Sequence, residues 1–171
     1  MSVTYSAATL DDGPALSAMA RRSFVETFTG FIDPAELVVY LDQAYGSDGQ
    51  MIRDLADPAI DWRMASAEGA PIGYLKLSAM TLPFAAAADA MEVRQLYVDS
   101  AWHGRGIAES LMLWAIDLAR ERGAPELYLA VFDHNHRAVR FYSRHGFTKV
   151  ARFDFHTGNQ IHDDGIWRLL L

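Results

Sequence analysis

The 171 residues predict one mixed α/β domain spanning positions 1–171. Two features carry this reading. β-rich runs alternate with amphipathic segments in the order β-α-α-β-β-β-α-β-α-β-β, and one such run, ending Leu96-Tyr97-Val98, passes through a glycine-bearing turn straight into a helical stretch. With 51% hydrophobic residues the chain can bury a core without metals or disulfides. No repeat, low-complexity linker or charge block divides it.

Residues 3–7 suit a first strand. Thr9 and Asp12, spaced as in a capping box, introduce a helix whose Leu16, Ala20, Phe24 and Phe28 share one face, and Gly30 breaks that pattern. A second helix covers 34–44, with Asp33 as N-cap and Pro34 at its first position; 50–56 reads as a short third. The runs 62–67 and 72–79 flank Glu68-Gly69-Ala70-Pro71, a hairpin signature. Residues 80–89 form a loop whose alanines allow a helical turn, and 91–98 the next strand. Apolar residues at 107, 111, 115 and 118 make the stripe of a helix over 107–122, closed near Gly123 and Pro125. Residues 126–131 read as a strand and 135–145 as a helix. Segments 147–155 and 166–171 read as a closing antiparallel pair.

The turn after Val98 carries chemistry. Gly104 and Gly106 let backbone approach a ligand without a Cβ in the way, and the helix beginning at Ile107 offers unpaired N–H groups and its dipole to an anion. The spacing fits neither the P-loop nor the dinucleotide fingerprint. His103-Gly104-Arg105-Gly106-Ile107-Ala108 resembles the pyrophosphate signature [QR]-x-x-G-x-[GA] of the GNAT N-acetyltransferases, with His103 departing from its first position. Asn135 to Phe147 resembles that family's N-x-x-A-x-x-[FL]-Y-x-x-x-G-F motif. Here Asn135 is a favoured N-cap, and Gly146 stands where a helix end needs positive φ.

The resemblance implies a GNAT fold: a mixed, mostly antiparallel sheet flanked by helices and splayed between the strands either side of the phosphate-side helix. It further implies acetyl-coenzyme A as cosubstrate. Leu96, Tyr97 and Val98 would hold pantetheine, and His103, Gly104, Arg105, Gly106, Ile107 and Ala108 the pyrophosphate. Asn135 would lie near the arm, and Arg144 reads equally as a phosphate contact or a solvated charge. Tyr142 stands at the family's position for the hydroxyl that protonates the departing thiolate. Glu92 reads either as a base acting through water or as a strand carboxylate, exposed or paired with Arg94. Segments 21–28 and 153–171 look like the bacterial spermidine/spermine N-acetyltransferase branch. That implies an ammonium site built from Glu26, Asp154 and Asp33, the same three residues reading otherwise as surface charges.

Fifteen Lys and Arg against 22 Asp and Glu give a charge of −7, which disfavours nucleic acid and suits a small cationic substrate. The absence of cysteine excludes a cysteine acyl-enzyme, so transfer is expected to be direct. His134-x-His136 lacks a completing acid or thiol set, and no metal is expected. Neither a signal peptide nor a run of 18 apolar residues is present, which points to the cytoplasm and no membrane partner. Oligomeric state, a homodimer included, stays open at this point, as does modification of a peptide or protein amine, or acetyl-CoA binding without turnover.

Overall fold

The computed structural model describes residues 2–171. Strand β1 (Val3–Ser6) leads through one 3₁₀ turn (Leu10–Asp12) to α1 (Gly13–Phe28), α2 (Pro34–Tyr45) and α3 (Gln50–Ala56). Strands β2 (Asp61–Ala67), β3 (Ala70–Ala79) and β4 (Met91–Val98) follow. After them come α4 (Ile107–Glu121), β5 (Glu126–Phe132), α5 (His136–Arg144), β6 (Thr148–Thr157) and β7 (Gln160–Leu170). Local chemistry sets several of these boundaries. The Asp33 carboxylate accepts from Ala35 N at 2.9 Å to open α2, and Asn135 Oδ1 accepts from Ala138 N at 3.2 Å to open α5. Gly146, at φ +89°, ends the α5 segment as expected.

The seven strands form one sheet in the order β1-β2-β3-β4-β5-β7-β6. All neighbours are antiparallel except β4 and β5, which are parallel and pair only at Met91–Leu127 and Glu92–Tyr128. Beyond Glu92 the two strands part, which is the splay the motifs imply. Strand alternation then builds two layers. Leu75 and Leu77 face Ile107, Leu111, Met112 and Ala115 of α4, while Trp62, Met64 and Tyr74 face α1 and α2 through Leu16, Phe24 and Leu41.

The segment 80–89 is the expected loop, with Thr81 and Leu82 tied to Glu92. One expectation needs correction. Strand β7 begins at Gln160, six residues before the expected Ile166, because Gly158 at φ +59° and Asn159 close a tight hairpin with β6. That extension carries Asp164 into the sheet.

Candidate active site

The splay opens a cleft of about 1050 Å³ that reaches from the α4 N-terminus to α1 and α2. Leu96, Tyr97 and Val98 border it along the part of β4 that has left β5. At its α4 end, Gly104 (φ +74°) and Gly106 (φ +78°) both occupy the left-handed region, and at either one a Cβ would meet nothing within 4 Å. Gly106 caps α4 without a side-chain acceptor, so the first amides of the helix, from Ile107 and Ala108, are open to an anion in the cleft.

His103 explains its departure from the motif. Its Nε2 donates to Val98 O at 2.8 Å, and its Nδ1 accepts from the Arg137 guanidinium. The imidazole thus ties the turn to β4 and draws a cation from α5 to the mouth of the cradle. Arg105 is not that cation. Its guanidinium lies 4.8 Å above the Trp102 ring, and the residue does not border the cleft. Arg144 and Asn135 do border it.

Tyr142 is 8% exposed and packs against Phe141 and Phe147, with the cleft at its side. Burial raises its phenol above the ordinary tyrosine value, so the hydroxyl stays protonated through the neutral range. Glu92 is buried rather than exposed. Its Oε2 accepts from Thr81 N and Thr81 Oγ1, both at 2.7 Å, and from Leu82 N at 3.2 Å. No Arg94 ion pair forms among the described residues. The Glu92 carboxylate pins a loop across the point where the strands diverge.

The far half of the cleft is aromatic. Phe24 stacks on Phe28 and Tyr40 at 4.4 and 4.6 Å between ring centroids, Phe132 lies 5.5 Å from Phe28 and 5.1 Å from Phe31, and Phe155 abuts Tyr40. Among these rings stands Asp164, 8% exposed, with Oδ1 buried and without a hydrogen-bond partner among the described residues. Burial, then the charges of Asp133 and Asp163, push its carboxyl up to about 7. Burial and the Asp164 charge in turn push Tyr40 up to about 12.

Of the three acids expected to hold an ammonium, only Glu26 borders the cleft. Asp33 is committed to capping α2. Asp154 is exposed on the opposite face of β6, because a strand's period of two turns Phe153 and Phe155 inward and Asp154 out. The residues that sequence reading missed are Arg137 and Asp164. Arg137 had no local signal. Asp164 had one: Gly158-Asn159 between two runs is a hairpin pair, and accepting it extends β7 back through Asp164.

The pattern that defines the Acetyltransferase (GNAT) family matches residues 20–147. An uncharacterized N-acetyltransferase of Lactobacillus delbrueckii subsp. lactis is 25% identical over 90% of this chain and 88% of its own. The aminoalkylphosphonate N-acetyltransferase of Salmonella typhimurium is 32% identical over 63% of this chain and 72% of its own. The fold matches that of the PaiA N-acetyltransferase from Thermoplasma acidophilum, solved in complex with coenzyme A. There the TM-score is 0.81, with all of both chains covered at 21% identity.

Proposed function

The chain belongs to the acetyltransferase (GNAT) family and is an N-acetyltransferase, and from that premise we propose that it passes acetyl directly from acetyl-coenzyme A to a small amine, a polyamine first among them. The observation that carries this reading is the two-ended cleft, with an anion cradle at one end and an aromatic, acid-bearing chamber at the other. The cradle fits a pyrophosphate. Two glycines hold the turn in the left-handed region, the first α4 amides carry no cap from a side chain, and Arg137 and Arg144 bring positive charge to the same cleft. The parted edge of β4 at Leu96 to Val98 suits an extended, amide-bearing arm that docks as an added strand. Coenzyme A solved on the Thermoplasma relative supports the same cosubstrate here.

In this reading Tyr142 gives its proton to the departing thiolate. The relative named for an aminoalkylphosphonate favours a small amine over a protein one. Glu26 at the chamber's rim, and the likeness of segments 21–28 and 153–171 to the spermidine/spermine branch, favour a polyamine. Coenzyme A thiol release across polyamines, simple amines, aminoalkylphosphonates and an N-terminal peptide tests it. Release above background hydrolysis with an amine upholds transfer, and a peptide outrunning every small amine rejects the small-amine acceptor.

Two variants refine the assignment. Glu26→Gln raises the spermidine KM about two- to fivefold at low ionic strength, as an exposed charge contact should, and the difference fades with added salt. Equal KM values at low salt would remove Glu26 from the acceptor site. Glu92→Gln keeps an oxygen that accepts from Thr81 and Leu82, and exchanges charge-assisted bonds for neutral ones. Turnover should therefore fall less than about tenfold with the pH profile unmoved. A larger loss that high pH restores would return Glu92 to the role of base.

A further inference from the structure

We propose that Asp164 is the carboxylate that receives the acceptor's ammonium and takes up its proton, and hence that the acceptor is a primary amine on an apolar stem. This rests on the amine-acetyltransferase reading above. The register places Asp164 opposite Phe132 on β5 and opposite Phe153 on β6, so its side chain shares their face of the sheet, toward the cleft. A buried carboxylate oxygen without a partner is costly, and an ammonium donor cancels that cost. Phe24, Phe28, Phe31 and Phe132 line the same chamber. They offer ring faces to a cation and apolar surface to methylenes, and among the described residues no second buried acid stands with them.

The step balances. The Asp164 carboxylate takes one proton from R–NH3⁺, leaving the lone pair of R–NH2 free. Nitrogen then bonds the acetyl carbon as the carbon–sulfur bond breaks, and the electron pair of that bond leaves with sulfur. Tyr142 protonates the thiolate, the second nitrogen proton replaces the one Tyr142 gave, and Asp164 returns its own proton to solvent. The sum is amide, coenzyme A thiol and one proton.

The groups around Asp164 set its pH behaviour. Asp133 and Asp163 raise its affinity for a proton, as does burial, and each of those two acids is paired, to Lys149 and Arg152 respectively. Tyr40 on α2 and Tyr97 on β4 face it as neutral phenols, both pushed up chiefly by burial. Two residues before it, His162 is held below its ordinary value by burial, and His134 and Glu26 border the same cleft. Activity should therefore fall as pH drops through about 7, where Asp164 protonates.

The test compares wild type with Asp164→Asn, Asp164→Glu and His134→Gln, using spermidine and butylamine as acceptors. Rates run from about pH 5.5 to 9.5, and calorimetry measures each amine binding to the protein–coenzyme A complex. We expect wild type and His134→Gln to share the acidic limb, Asp164→Glu to retain one, and Asp164→Asn to lose it together with about 10²-fold in kcat/KM at pH 8. An Asp164→Asn protein within about threefold of wild type, its acidic limb intact, overturns the assignment. If wild type acetylates neither amine, the polyamine and simple-amine reading of the acceptor falls separately. Amine binding then decides for Asp164: affinity lost in Asp164→Asn upholds the ammonium site, and equal affinity overturns it.

Discussion

Replacing Gly106 with valine should weaken acetyl-coenzyme A binding by about 10²-fold or more, equivalent to about 2.7 kcal/mol, while the protein stays folded. Two effects add. Position 106 sits at φ +78°, where an L side chain costs roughly 1 to 2 kcal/mol, and a β-branched one fits there worst. Gly106 also borders the cleft directly beside the first α4 amides, so a branched side chain there adds bulk to the turn that the proposed pyrophosphate must approach. Gly69→Val separates the two. Gly69 has φ +77° and an equally open Cβ direction, but it lies on the β2–β3 hairpin and does not border the cleft. Both variants should lose comparable thermal stability, and only Gly106→Val should lose cofactor affinity in calorimetric titration. Wild-type affinity in a folded Gly106→Val protein would remove the cradle.

What was legible in the chain was what is local. The α5 cap at Asn135, the positive φ at Gly146 and the glycine turn before Ile107 depend on a few consecutive residues, and each lies where its residue types demand. The outward turn of Asp154 was readable too, since Phe153 and Phe155 flank it at a period of two. Asp164 is hidden from hydrophobic alternation for a physical reason. In the stretch 160–164, β7 turns the polar residues His162 and Asp164 inward and leaves Ile161 exposed. A strand whose buried side is polar looks like a loop. Arg137 was invisible for a different reason: only tertiary packing brings it from α5 to His103 on the turn. The same distinction applies to cation choice, because Arg105 is adjacent in sequence to the phosphate turn yet lies over Trp102.

Tyr142→Phe should lower kcat by about 10²-fold and leave the acetyl-coenzyme A dissociation constant within about twofold. The substitution removes one oxygen from a buried ring that packs on Phe141 and Phe147, so the wall of the cleft keeps its shape. What disappears is a donor needed only as negative charge gathers on the departing sulfur, and an interaction confined to that moment affects rate rather than binding. The raised phenol sharpens the forecast. A hydroxyl held protonated by burial gives no limb of its own near neutrality, so wild type and Tyr142→Phe should share the acidic limb assigned to Asp164 while differing in height. Single-turnover measurements distinguish chemistry from product release. A chemical step within about threefold of wild type would take Tyr142 out of proton donation, and an equal loss in affinity and rate would make it a binding residue instead.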